Sequence, residues 1–158
     1  MIKHIKCDIF ESGADVICHQ VNCQGVMGSG IAKQVRERYP NVYKKYKELC
    51  DRVKDEGRSP LGCWQAIRID EAHIPYKYII NIFAQENYGY DGKCYTDYKI
   101  LKGIFEEIKL ATHNQTIAIP YLMGCHRGGG DWNVVYKMIE EVFADSDCEI
   151  LICEYNGG

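Results

Sequence analysis

The stretch DVICHQVNCQGVMGSGIAKQVRERYP, residues 15–40, decides the fold class, because a strand, a glycine cluster and a helix follow one another in it. Residues 15–21 form a nearly continuous apolar run, which is typical of a strand buried on both faces of a sheet. Ile31, Val35 and Tyr39 then recur at helical spacing, and Pro40 ends that helix. The stretch therefore predicts a buried strand joined to a helix by a glycine-rich loop.

The alternation of strands and helices continues along the rest of the chain. Apolar or alternating runs predict the strands, at residues 2–7, 15–21, 63–69, 76–83, 116–121 and 149–154. Apolar residues at helical spacing predict the helices, at residues 31–39, 41–52, 95–111 and 131–143. Because no repeat or linker interrupts the pattern, we expect one α/β domain over residues 1–158. Its sheet should be mainly parallel or mixed, with helices on both faces.

The net charge and the cysteine content limit which classes of binding partner and which cellular compartment we expect. The formal net charge is −3, so we expect no general electrostatic affinity for nucleic acid or for an anionic membrane. The chain shows no export signal and no apolar run of membrane-spanning length. Nine cysteines without a C-x-x-C pair are typical of a reduced, cytoplasmic protein. Cys18 and Cys23 lack a second half-site at zinc-like spacing, so we predict no metal site and no cofactor.

Two glycine-rich loops follow two of the predicted strands. The first, VNCQGVMGSGIAKQ at residues 21–34, lacks the Lys-Ser/Thr pair of a P-loop and has Lys33 where a dinucleotide fingerprint needs its third glycine. The second is PYLMGCHRGGGDW at residues 120–132, where Asp131 is predicted to cap the next helix. Either loop alone is also consistent with a tight turn that packs closely on a helix. Together, at the carboxyl ends of two strands, they predict a site for two linked phosphates.

These segments resemble the macrodomain family, whose members bind ADP-ribose. The resemblance runs over nearly the whole chain. It is carried by CDIFESGADVICHQVNCQGVMGSGIAKQVRERYP at residues 7–40 and IAIPYLMGCHRGGGDW at residues 117–132. It implies a three-layer α/β/α fold with a central mixed sheet of about six strands. The runs HQVNCQGVMGSGIAKQ and KYIINIFAQENYGY are most similar to the subgroup with ADP-ribose 1''-phosphate phosphatases and ADP-ribosyl-ester hydrolases.

The resemblance also implies which residues contact the ligand. Asp8 and Ile9 match the residues that contact adenine, and Tyr155 matches an aromatic residue that often covers it. Asn22 matches an asparagine near the distal ribose. The other implied contacts are Gly25, Gly28, Ser29, Gly30 and Ile31 in the first loop, and Gly124, Cys125, His126, Arg127, Gly128, Gly129 and Gly130 in the second. From the residues alone, Asp8 is equally typical of a cap, Tyr155 of edge packing and Arg127 of a solvated side chain.

Cleavage at the distal ribose requires a group that moves a proton. In the phosphatase-type relatives a histidine at the position of His19 is the catalytic one, and we predict Asp91 as its acidic partner. Without the family, a lone histidine in a buried strand is more often a core residue, and Asp91 belongs to an exposed turn. Gln85 stands where one hydrolase subgroup carries a nucleophilic lysine, and an amide cannot form a Schiff base.

The sequence therefore predicts an ADP-ribose-binding macrodomain. We expect a hydrolase acting on ADP-ribose derivatives, either ADP-ribose 1''-phosphate or mono-ADP-ribosylated substrates. The partner is ADP-ribose or an ADP-ribosylated substrate. Two alternatives stay open: a binding module without chemistry, and a different nucleotide-binding α/β domain.

Overall fold

A six-stranded sheet forms the centre of the molecule in the computed structural model, which describes residues 1–155. The strands are β1 (Ile2–Lys6), β2 (Val16–Val21), β3 (Trp64–Arg68), β4 (Tyr78–Phe83), β5 (Thr116–Pro120) and β6 (Glu149–Glu154). They are arranged in the order β1-β6-β5-β2-β4-β3. Only β3 is antiparallel to its neighbour, so the sheet is mixed and the carboxyl ends of the other five strands share one edge.

Within the described residues, four α-helices connect the strands: α1 (Gly30–Arg38), α2 (Pro40–Asp55), α3 (Tyr98–Ala111) and α4 (Trp132–Phe143). The third begins three residues later than predicted, because the Asp97 carboxylate accepts a hydrogen bond from Ile100 N at 3.0 Å and caps it there. Asp131 caps α4 as expected, accepting from Asn133 N at 2.9 Å. A short 3₁₀ helix, Ile9–Glu11, follows β1. None of the helices described within residues 1–155 is long and apolar enough to cross a membrane.

Alternating side chains of the buried strands define the two outer layers. In β2, Ile17 packs in a cluster with Val35 of α1 and Val42 of α2. The next residue, Cys18, packs in a second cluster with side chains of α3 and α4, including Phe105. Because successive side chains of a strand point to opposite faces, α1 and α2 cover one face of the sheet and α3 and α4 cover the other. This confirms the predicted three-layer α/β/α fold.

The start of β4 differs from the sequence prediction by two residues, whereas the other strand boundaries differ by at most one. The strand expected from residue 76 pairs only from Tyr78, which lies opposite Val16 of β2. Tyr76 is instead buried beside two aromatic rings, with its centroid 6.1 Å from that of Tyr39 and 6.3 Å from that of Phe10. In the sequence, Tyr76 looks like the first buried residue of the strand. In the structure it is buried by packing on these two rings, and it is not paired with a neighbouring strand.

We expect Phe105→Ala to lower the free energy of unfolding by about 3–5 kcal/mol. Phe105 is fully buried and lies edge-on to Phe143, with 6.1 Å between the ring centroids, so truncation leaves a cavity between α3 and α4. Urea denaturation measures the loss. Leu110→Ala, on the same helix but 78% exposed, is the matched control and should change the free energy by less than about 0.5 kcal/mol. Equal losses in the two variants would contradict this packing.

Candidate functional site

A cavity of about 680 Å³ opens at the carboxyl edge of the parallel strands. Both glycine-rich loops contribute to its wall, as the sequence predicts. The predicted site residues that line it are Asp8, Ile9, His19, Asn22, Gly28, Ser29, Gly30, Ile31, Gly124, His126, Arg127, Gly128 and Tyr155. The lining does not include Gly25, Cys125, Gly129, Gly130 or Asp91.

Asn22 braces the first loop from within. Its Nδ2 donates to Val26 O at 2.8 Å, and its Oδ1 accepts from Gln24 N at 2.9 Å. The Tyr46 hydroxyl of α2 lies 2.8 Å from the same Oδ1 and accepts from Val26 N at 3.0 Å. Burial raises the pKa of that hydroxyl, which therefore stays protonated and able to donate. The side chain that the resemblance assigns to the distal ribose is thus already used to shape the loop.

The first loop leads directly into the amino-terminal end of α1 at the cavity wall. Ser29 is extended, and Gly30 begins the helix with a φ of +58°, a left-handed conformation that favours glycine. The first turn holds no acidic residue, and Gly30, Ile31 and Ala32 all line the cavity. Backbone N–H groups without helical partners and the helix dipole make such an end favourable for an anion.

The glycine run of the second loop has a packing reason that the sequence did not reveal. A Cβ atom on Gly129 would lie 2.0 Å from Lys93 O, and one on Gly128 would lie 2.5 Å from Thr96 Oγ1. Gly128 O accepts from Tyr95 N at 2.7 Å and from Thr96 N at 2.9 Å. The second loop therefore packs closely against residues 93–96. Gly129 and Gly130, predicted as ligand contacts, lie at this junction rather than in the cavity lining.

Asp8 occupies the end of the cavity next to β1. Its Oδ1 accepts from Phe10 N at 3.0 Å and caps the short 3₁₀ helix, so the capping alternative is present in the structure. Its Oδ2 lies 3.8 Å from an Arg38 Nη atom, and the Arg38 guanidinium lies 4.3 Å from the centre of the Phe10 ring. Tyr155 lines the same region and is 57% exposed. One carboxylate oxygen of Asp8 is thus used for the cap, and the other faces a nearby arginine.

A chain of buried amides sets the protonation of His19. Strand register places His19 of β2 beside Asn81 of β4, and Asn81 beside Gln65 of β3. Gln65 Nε2 donates to Lys45 O at 3.1 Å, so Gln65 Oε1 accepts from Asn81 Nδ2 at 3.1 Å. Asn81 Oδ1 therefore accepts from His19 Nε2 at 2.6 Å. This leaves His19 Nδ1 as the unprotonated nitrogen, buried and without a partner within residues 1–155.

Burial lowers the pKa of His19 to about 4, although the hydrogen bond to Asn81 opposes the shift. The imidazole is therefore neutral at pH 7. Asp91, the predicted acidic partner, makes no hydrogen bond to His19 within residues 1–155. Its carboxylate accepts from the Tyr95 hydroxyl at 2.6 Å and from Lys93 N at 3.2 Å, and the Tyr95 hydrogen bond lowers its pKa. These local bonds hold Asp91 in its own exposed turn, and its partnership with His19 stays a prediction.

Several cavity residues were not singled out from the sequence as ligand contacts. Leu122 lines the cavity with a φ of +65°, a strained conformation for a branched side chain, and no local pattern predicts it. Gln85 Oε1 accepts from Gln20 Nε2 at 2.7 Å, and Gln85 Nε2 donates to Asn87 O at 2.8 Å. The sequence feature that could have indicated Gln20 and Gln85 as cavity residues is their position near the carboxyl ends of β2 and β4, where ligands bind in such sheets.

Comparisons with known proteins agree with this architecture. DNA ADP-ribosyl glycohydrolase of Mycobacterium tuberculosis is 28% identical over 162 residues, which cover 100% of this chain and 43% of that protein. An ADP-ribose 1''-phosphate phosphatase of Debaryomyces hansenii is 35% identical over 68 residues, which cover 39% of this chain and 38% of that protein. The chain therefore spans less than half the length of the mycobacterial relative, and the match to the phosphatase covers less than half of either chain.

The solved macrodomain of Mycobacterium tuberculosis DarG superposes on this chain with a TM-score of 0.74. It is 25% identical, and the match covers 97% of each chain. The family model described as Macro domain matches residues 18–139, from the middle of β2 to α4. That match includes both glycine-rich loops and extends over most of the sequence, so the chain belongs to the Macro domain family.

Proposed function

We propose that this chain binds ADP-ribose in the cavity at the carboxyl edge of the sheet. The observation that carries the proposal is that both glycine-rich loops line one cavity of about 680 Å³. The name of the mycobacterial relative that matches the whole chain, DNA ADP-ribosyl glycohydrolase, supports the same ligand. We further propose that residues 1–158 form one macro domain and that the protein is cytoplasmic, in keeping with its nine free cysteines.

The sheet order suggests how the ligand is oriented. Asp8 and Tyr155 follow β1 and β6, at one side of the sheet, whereas Gln85 follows β4 on the other side of β2. We place adenine at the Asp8 end and the distal ribose at the Gln85 end. The diphosphate then lies between them, beside the amino-terminal end of α1 and the backbone of the second loop, where N–H groups favour an anion.

We propose hydrolysis of ADP-ribose derivatives, with His19 as the group that accepts a proton. The proposed substrates are ADP-ribose 1''-phosphate or a mono-ADP-ribosylated molecule. The name of the mycobacterial relative points to ADP-ribosylated DNA as one such molecule. Because the chain has a net charge of −3, a nucleic acid would be held through its ADP-ribose group rather than by general attraction. Neutral His19 presents the lone pair of Nδ1, which can take a proton from an attacking water.

Gln85 argues against a covalent lysine mechanism. Its amide has no nucleophilic amine, and both its polar atoms are engaged by Gln20 and Asn87. The same observation, together with the low pKa of His19, favours the second candidate function, an ADP-ribose-binding module without chemistry. Turnover measurements separate the two.

Asp8→Asn should weaken ADP-ribose binding by about 1–3 kcal/mol, measured by calorimetry. The asparagine keeps an oxygen that can cap the 3₁₀ helix but loses the negative charge offered to the adenine amine. The hypoxanthine analogue of ADP-ribose, which lacks that amine, is the matched ligand control. It should bind the unmutated protein more weakly and respond little to the substitution. Equal affinity of the unmutated protein for both ligands would contradict the role of Asp8.

His19→Ala should reduce turnover by about 10²–10⁴-fold, the usual contribution of a general acid or base, for whichever ADP-ribose derivative the unmutated protein cleaves. ADP-ribose binding should change far less, because proton transfer stabilises the transition state. His113→Ala is the control, since His113 is exposed and pairs with Asp147 away from the cavity. Full activity of His19→Ala, or a covalent adduct trapped by borohydride, would overturn the mechanism. An unmutated protein that binds ADP-ribose but cleaves no derivative would support the binding module.

Burial of His19 also predicts a pH-dependent stability. Its pKa is about 4 in the folded protein and 6.5 in the unfolded chain, so the unfolded state binds the proton more readily between these values. The contribution of His19 to the free energy of unfolding is therefore fully present above pH 6.5. It is lost as the pH falls toward 4, and the loss amounts to about 3 kcal/mol. Urea denaturation at several pH values, for unmutated protein and for His19→Gln, measures the difference. Parallel curves for the two proteins would contradict it.

A further inference from the structure

Arg127 of the second loop is a cation that lies close to two aromatic rings in the cavity wall. Its Cζ lies 5.6 Å from the centre of the Tyr88 ring and 5.2 Å from that of the Tyr90 ring. Its side chain takes part in none of the ion pairs found within residues 1–155. Its Nε is buried and has no hydrogen-bond partner there. An unpartnered, buried N–H on a charged group requires an acceptor.

The other arginine of the cavity provides a contrast. Arg38, near β1, has the Asp8 carboxylate at 3.8 Å and lies over the Phe10 ring. Both arginines are thus positioned by aromatic rings, but only Arg38 also has an anion beside it within the described chain. The positive charge of Arg127 is therefore available to a ligand.

The position of Arg127 indicates which part of the ligand it meets. Tyr88 and Tyr90 belong to the loop after β4, and Gly89 N donates to Arg127 O at 3.0 Å, which ties that loop to the second glycine loop. This is the end of the cavity opposite Asp8. In the orientation proposed above, the distal ribose lies here, whereas the diphosphate lies nearer the amino-terminal end of α1.

We propose that Arg127, positioned by Tyr88 and Tyr90, binds a phosphate carried on the distal ribose and so makes ADP-ribose 1''-phosphate the preferred ligand. A guanidinium presents two parallel N–H groups that match two phosphate oxygens, and its Nε–H is the buried one here. This inference rests on ADP-ribose binding in the proposed orientation.

Calorimetry with ADP-ribose and ADP-ribose 1''-phosphate tests the subsite, using a catalytically impaired background if the phosphate is cleaved during the titration. The unmutated protein should bind the 1''-phosphate at least about tenfold more tightly, which is about 1.4 kcal/mol. Arg127→Gln should abolish that preference while ADP-ribose affinity falls less than about threefold. Arg127→Lys, which keeps the charge but not the planar fork, should retain an intermediate preference. Lys93→Gln, on the neighbouring loop, removes an equal charge and should retain the full preference.

Each other outcome overturns the proposal in a distinct way. Equal affinity of the unmutated protein for the two ligands, with ADP-ribose binding intact, would exclude the phosphate subsite but leave the proposed function standing. Parallel loss of both affinities in Arg127→Gln would assign Arg127 to the diphosphate instead. A preference for an ADP-ribosylated oligonucleotide over the 1''-phosphate that depends on Arg127 would assign it to nucleic acid. No binding of either ligand would overturn the proposed function and the subsite together.

Discussion

The contact between the second glycine loop and the segment after β4 is the constraint on which the cavity depends. Gly128 O accepts hydrogen bonds from Tyr95 N and Thr96 N, and Gly129 has no room for a side chain against Lys93 O. These bonds connect loops that follow strands on either side of β2. Because they are backbone interactions at close range, they fix the second glycine loop, which lines the cavity, against the segment after β4. The position of Arg127 is a consequence of this contact.

A second constraint lies in the sheet itself. The register of β2, β4 and β3 brings His19, Asn81 and Gln65 side by side, and their hydrogen bonds leave one histidine nitrogen as an acceptor. This buried polar cluster is tolerated because nearly all of its polar atoms form hydrogen bonds. The same burial keeps the imidazole neutral. Any chemistry assigned to His19 must therefore use its lone pair rather than its positive charge.

The local sequence was sufficient for the elements and for the regions of the site, but not for individual contacts. Apolar runs such as residues 15–21 indicated buried strands, and glycines after two of them indicated loops at one edge of the sheet. Asp91 was predicted as the partner of His19, and a hydrogen bond from Tyr95, four residues away, holds its carboxylate in its own turn. Asn22 was predicted as a ligand contact, and its amide is already engaged by Val26, Gln24 and Tyr46.

By itself the sequence determined the α/β class, a mainly parallel or mixed sheet with helices on both faces, and the presence of two glycine loops, because periodicity and turn residues act over a few positions. Only the tertiary structure decided what those loops contact. The close packing at Gly129, the neutral state of His19 and the placement of Arg127 beside Tyr88 and Tyr90 all depend on residues distant along the chain. Close packing and burial act through space, so no local pattern carries them.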